Sequence, residues 1–249
     1  MMSNEVDTFR ALLNDCRRAV VFTGAGMSTA SGIPDFRVPN GLWKKIKPID
    51  FQEFVRSEEV RQESWRRWFE HGKVLLNAKP NAGHTAIASL VHQGKVSAVI
   101  TQNVDNLHQD AGVPDDRVIE LHGNASYAKC LGCEKVVTLE QVEADYRQSG
   151  TVGPCSACGG IVKTATISFG QMMPEEPMHR AEEETLACDL FIVLGSSLTV
   201  YPAAGFPMLA QQHGAKLVIV NQQPTDLDSV AEVVIHAGIG ETLQAVLAE

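Results

Sequence analysis

The sequence predicts an α/β protein built on a doubly wound parallel sheet, and three observations predict it. Short apolar runs recur at 19–23, 96–101, 117–121, 164–168, 190–195, 216–220 and 232–236. Several are apolar at every position rather than alternating, as strands covered on both faces are. Helical patterns at 82–92, 105–111, 203–213 and 240–248 lie between many of them, and strand alternating with helix implies parallel pairing. Two stretches, 38–80 and 125–163, break this rhythm and read as insertions that together form a smaller module.

In chain order, the first element is a helix whose apolar positions 6, 9, 12, 13 and 16 fall on one stripe. The strand Val20-Val21-Phe22 then runs into Gly24-Ala25-Gly26, which opens like a dinucleotide-binding turn. The third glycine of that fingerprint is missing. Thr29 stands in its place, and Gly32 comes too late for the usual turn. Residues 38–80 carry a polar, Trp-containing helical region, and 125–163 carry four of the six cysteines. The predicted division is one discontinuous domain, 1–37, 81–124 and 164–249, with a small module made from 38–80 and 125–163.

At 44% hydrophobic and 20% charged, the composition is that of an ordinary soluble globular chain. No apolar run nears the roughly 20 residues that span a bilayer. The start is acidic where a signal peptide would be basic. A cytoplasmic protein with no membrane partner is expected. The net charge of −9 argues against nucleic acid, whose phosphates call for clustered Lys and Arg, and is compatible with a basic peptide. The sequence carries no signal for an oligomeric state.

Cys130-Leu-Gly-Cys133 and Cys155-Ser-Ala-Cys158 are two C-x-x-C knuckles separated by 21 residues. Each sets two thiolates on one tight turn, and two facing turns give a tetrahedral sulfur site that suits zinc. All four ligand positions are cysteine, leaving none for a catalytic water, so one structural zinc per chain is expected. Disulfides are disfavoured without a secretory signal. Cys16 and Cys188 lie in apolar-patterned segments and read as core.

In open α/β sheets, ligands bind beyond the carboxyl ends of the strands. Here those ends carry Gln102, Asn103, Asp105 and His108 after 96–101, and His122 after 117–121. Ser196 and Ser197 follow 190–195, and Asn221 follows 216–220. Such groups suit ribose hydroxyls, a carboxamide and pyrophosphate. Imidazole titrates at about pH 6.5, so His122 can take a proton from a ribose hydroxyl. His108 falls on a helical pattern instead, and Asp105 can equally serve as a helix N-cap.

The blocks "GAGMSTASGIPDFR", "TQNVDNLH", "ELHG", "GSSLTVYPAA" and "VNQQPT", with the two C-x-x-C pairs, resemble the signature blocks of the sirtuin family in the family's order. The resemblance implies a Rossmann-like doubly wound domain plus a smaller module made of a zinc ribbon and a helical insert. NAD and an acylated lysine would meet in the cleft between them. The implied activity is NAD-dependent removal of acetyl or other neutral acyl groups from protein lysines. In the family mechanism the acyl oxygen attacks the ribose carbon as nicotinamide leaves. A base then activates a ribose hydroxyl, and the acyl group ends on ADP-ribose. No hydride is exchanged, so the dehydrogenase fingerprint need not be kept.

The resemblance also implies roles. Gly24, Ala25 and Gly26 let the backbone approach the phosphates, with Asp35 and Arg37 in the loop that follows, and Phe36 screens the reacting ribose carbon. Gln102, Asn103 and Val104 lie at the ribose and nicotinamide end, where Asp105 binds the carboxamide beside Ser28 and Ile33. Gly195, Ser196, Ser197 and Asn221 hold the pyrophosphate and adenosine side. His122 is the general base, and Asn103 joins it in the catalytic set. "TISFGQ" resembles the strand that pairs with an acyl-lysine segment, a mode that gives affinity through the main chain. Ile167, Phe169, Gly170 and Val200 would line the lysine tunnel. Judged alone, Ile167, Phe169 and Val200 read as ordinary core.

Two departures matter. Gln171 stands where an acidic residue is frequent, and Trp68 and His71 stand where members that prefer dicarboxylic acyl groups carry Tyr and Arg. A charged acyl group would lack its guanidinium partner, so acetyl is expected over succinyl. Mono-ADP-ribosyl transfer from the same NAD site is the alternative, because both reactions begin by displacing nicotinamide. A nicotinamide dehydrogenase is disfavoured by the missing glycine, and a zinc-knuckle adaptor by the polar strand ends.

Overall fold

The computed structural model describes residues 2–34 and 47–248. Within them the strands are β1 (Ala19–Thr23), β2 (Val96–Thr101), β3 (Val118–Glu120), β4 (Gly123–Cys130), β5 (Val136–Thr138), β6 (Val162–Thr166), β7 (Leu190–Leu194), β8 (Lys216–Val220) and β9 (Val233–Ile235). The helices are α1 (Met2–Asp15), α2 (Phe51–Arg56), α3 (Glu58–Arg67), α4 (Lys73–Asn77), α5 (Ala82–His92), α6 (Leu107–Asp110), α7 (Leu139–Ser149), α8 (Glu175–Ala187), α9 (Phe206–Gln212) and α10 (Ile239–Leu247).

Apolar side chains on both faces of β1, β7 and β8 demand cover on both sides, and that demand sets the architecture. Val21, Ile192 and Val218 enter one core with Phe9 of α1, Ile87 of α5 and Leu243 of α10. Phe22, Val193 and Ile219 enter the other with Ala181 of α8 and Phe206 of α9. The resulting six-stranded sheet runs β3-β2-β1-β7-β8-β9, with every pair parallel. The order reverses between β1 and β7, which creates a crevice at their carboxyl ends. The doubly wound fold class is as expected.

The run at 164–168 does not join this sheet. It forms β6, begins at Val162, and pairs antiparallel with β4 in a second sheet of order β5-β4-β6. Its β-branched residues suit any pleated surface, and only Val162, buried with Ala128, Leu139 and Val142, decides which sheet it serves. The helix expected over 105–111 contracts to α6, because Asn106 takes left-handed backbone at φ 64°. Helices α7 and α8 are mostly polar and were not expected. A capping box between Thr138 and Gln141 marks the start of α7.

The two insertions share one core. Trp65 of α3 is buried against Ala128, Cys130 and Val162, and its Nε1 donates to the Val162 carbonyl at 3.3 Å. Gln62 exchanges two hydrogen bonds with the Val152 backbone. Phe69 stacks between Trp65 and Tyr146.

Candidate active site

The loop after β1 and the turn after β7 interlock. A Cβ on Gly195 would lie 2.4 Å from the Met27 nitrogen, at a φ of +65°, and one on Gly24 would lie 2.8 Å from the Gly195 carbonyl. These positions are glycine because two backbones touch there, a requirement that stands before any ligand arrives. The Gly26 N–H donates to the Gly195 carbonyl at 2.8 Å.

Around this junction the strand-end polar groups bond to one another. Ser28 Oγ donates to Asp105 Oδ2 at 2.6 Å, and Asn103 Nδ2 donates to Ser28 Oγ and the Gly24 carbonyl. Asp105 also accepts from the Leu107 N–H at 3.1 Å, but the N-cap of α6 is Asn106, so Asp105 braces the turn before the helix while lining the cleft. Burial pushes its carboxyl above the usual range, opposed by the Ser28 bond. Gln102 is 7% exposed. Its Oε1 accepts from Ser196 Oγ, while its Nε2 has no partner among the described residues.

His122 sits where these groups meet the small module. Its Nδ1 donates to the Gln102 carbonyl at 2.9 Å, which leaves Nε2 as the basic nitrogen of the neutral ring. Its own carbonyl accepts from the Ile167 N–H at 2.7 Å, tying the histidine to the end of β6. His108, by contrast, lies on α6 and is buried.

A cavity of about 550 Å³ joins Ala25, Ser28, Ile33, Gln102, Asn103, Val104, Asp105 and His122 to Ile167, Phe169, Gly170 and Val200. None of Ile167, Phe169 and Val200 is core; Phe169 is 58% exposed. Gly24, Gly26, Gly195, Ser196, Ser197 and Asn221 stand beyond the cavity at the ends of β1, β7 and β8. The Asn221 N–H bonds to the Ile235 carbonyl, and Ser197 Oγ bonds to Thr199. Asp35, Phe36 and Arg37 lie outside the described residues. The far wall holds Trp68 and His71. A guanidinium is present there, Arg67, but Glu63 and the Lys47 carbonyl engage it.

The sequence reading missed Thr23, Asn81 and Thr101. Thr101 Oγ1 accepts from the Asn103 N–H and from Thr23 Oγ1, and Asn81 Nδ2 donates to the Met27 carbonyl beside Ser28. Asn81 was findable, since it caps α5 in a box with His84. Asn124, although in a glycosylation-type triplet, is 3% exposed and donates to Asn106 and Glu120.

The sulfur atoms of Cys130, Cys133, Cys155 and Cys158 all lie within 4.8 Å of one another. Backbone N–H groups of Gly132 and Cys133 draw the Cys130 thiol down to about 6. The Gly160 N–H lowers Cys158, yet the neighbouring Cys133 and Cys130 outweigh it and push that thiol up to about 12. Four crowded thiolates repel, and a tetrahedral cation of soft-ligand preference removes the conflict. The donor set fits zinc. Removing metal with a strong chelator is therefore expected to melt the β4–β6 sheet and to release one zinc per chain, measured by metal analysis alongside circular dichroism.

The model of the Sir2 family matches residues 24–202. The chain is 53% identical over 238 residues to NAD-dependent protein deacetylase 1 of Bradyrhizobium diazoefficiens, spanning 96% of this chain and 93% of that protein. It is 52% identical over 242 residues to the NAD-dependent protein deacetylase of Rhodopseudomonas palustris, spanning 97% and 96%. A solved structure of Sir2 with p53 peptide and NAD+ superposes with a TM-score of 0.87 at 38% identity, covering 97% of each chain. One of Sir2 bound to acetylated peptide gives 0.86 at 38% identity, again over 97% of each chain.

Proposed function

This chain belongs to the Sir2 family, and from that premise we propose that it is an NAD-dependent protein-lysine deacetylase. The observation that carries the reading is His122, whose ring is fixed by Gln102 on the wall shared by the polar strand ends and the β6 exit. The cleft suits NAD: the buried Gln102 Nε2 is a donor without a partner among the described residues.

When bound, NAD supplies the ribose carbon that receives the acyl oxygen, with nicotinamide as leaving group. The chain's own groups do the rest. His122 takes a proton at Nε2. Asp105 and Ser28 orient a carboxamide, and Asn103, held by Gly24 and Ser28, fixes the reacting end. Ile167, Phe169, Gly170 and Val200 receive the lysine stem, and a strand-like acyl-lysine segment pairs along the 167–171 stretch. Ser196, Ser197 and Asn221 hold the adenosine side. The insertions 38–80 and 125–163 act as the small module, with zinc on the four cysteines in a structural role. All six cysteines are free thiols, and no helix among the described residues is long and apolar enough to cross a membrane.

The test is mass spectrometry of acetyl-lysine and succinyl-lysine peptides with and without NAD. NAD-dependent loss of acetyl, with O-acetyl-ADP-ribose formed and succinyl removed more slowly, is expected. Intact peptide with ADP-ribose appearing on protein would replace deacylation by mono-ADP-ribosyl transfer.

A further inference from the structure

We propose that His84 and His108 form a buried positioning pair that holds the Met27–Ser31 and Gln102–Asp105 segments in register, and thereby sets the affinity for NAD without touching it. The inference rests on the NAD-dependent reading above. Neither ring lines the cavity. His84 is 0% exposed and His108 2%, among the hydrophobic interior under β1 and β2.

The His108 ring ends a chain of hydrogen bonds that starts at the cleft residue Asn103, and the His84 ring one that starts at the Met27–Ser31 segment that carries Ser28. On one side, the Asn103 N–H donates to Thr101 Oγ1 at 3.0 Å. Thr23 Oγ1 also donates to Thr101, at 2.8 Å, and therefore accepts from His108 Nε2 at 3.0 Å. On the other side, Asn81 Nδ2 donates to the Met27 carbonyl and to Ser31 Oγ, while the Asn81 N–H donates to His84 Nδ1 at 3.3 Å. The two chains converge where the rings meet, with centroids 5.0 Å apart.

These bonds fix both tautomers. His108 carries its proton on Nε2, so its Nδ1 is a lone pair. His84 accepts at Nδ1, so its Nε2 carries the proton. Those two remaining atoms are the ones left without a partner among the described residues. One is a donor and the other an acceptor, on adjacent rings. A buried polar network of this kind holds one arrangement against alternatives, because any shift leaves further groups unpaired.

The test compares His108→Leu, His108→Gln and Thr23→Val, each checked for zinc content and melting temperature. Gln keeps a donor near the Nε2 position, and Val removes the acceptor with little change of shape. Loss of one such bond corresponds to about a tenfold effect. His108→Leu and Thr23→Val are each expected to raise KM for NAD about tenfold, with KM for the acetyl-peptide unchanged. His108→Gln should restore most of the loss, and the His108→Leu/Thr23→Val double variant should be no worse than either single. Should His108→Leu fail to fold, Thr23→Val carries the same readout. An unchanged KM for NAD in Thr23→Val, with only the melting temperature lowered, would overturn the inference alone. Wild-type protein that consumes no NAD would overturn the parent reading and this one with it.

Discussion

Replacing His122 by alanine is expected to lower kcat/KM for an acetyl-lysine peptide about a thousandfold, within the range that a positioned general base contributes. The loss should fall on kcat. His122 holds the end of β6 through its backbone carbonyl, which accepts from the Ile167 N–H, and alanine keeps that bond. The peptide edge therefore stays in place. The side-chain bond from Nδ1 to the Gln102 carbonyl disappears. Because the ring is not fully buried, its removal should change stability by about 1 kcal/mol or less. NAD affinity, measured by calorimetry, should stay within a few-fold, because the groups assigned to the cofactor are those of Gln102, Asn103, Ser28 and Asp105. A variant that keeps a tenth or more of wild-type kcat would remove His122 from the role of base. A variant that loses NAD binding as well would mean that the ring shapes the cofactor site instead.

What the sequence made legible follows from which forces are local. β1, β7 and β8 are apolar on both faces because both faces are covered, so their identity and parallel pairing could be read from composition. The strand-end rule then placed Gln102, Asn103, Asp105 and His122 on one edge before any geometry was known. The run at 164–168 shows the limit. A short β-branched segment says strand, but its partner is chosen by long-range packing around Val162 and Trp65. The glycine loop shows another. Its residues were assigned to phosphate approach, whereas the first demand on Gly24 and Gly195 is mutual, across 171 residues of chain. The His84–His108 contact was likewise invisible. Each histidine reads alone as an ordinary helical residue, and only the packing of α5 against α6 joins them.

That pairing should also dominate the acid limit of the fold. Burial holds His84 down to about 4 and His108, with a further contribution from His84, down to about 3. In the unfolded chain each titrates at about 6.5. Below that pH the unfolded state binds two protons that the native state refuses, so stability falls as pH falls. Each histidine contributes about 1.4 kcal/mol per pH unit until its own folded value is reached. Between pH 6 and pH 4 the pair should therefore remove roughly 5 kcal/mol, a large part of the about 5–15 kcal/mol that holds a typical domain together. Glu120 and Asp105 act in the opposite sense. Burial raises both carboxyls, so they take protons more readily when folded and soften the fall. Asp189, held down by backbone and side-chain bonds from Arg17 and Arg18 against its own desolvation, adds to the fall at lower pH. Urea unfolding between pH 4 and 8 should show a slope approaching two protons in the wild type. A His84→Asn/His108→Gln double variant, compared at the same pH values, should lose most of that slope even if it is less stable at pH 8. If the slope persists with both imidazoles gone, the acid sensitivity belongs to the carboxylate pairs.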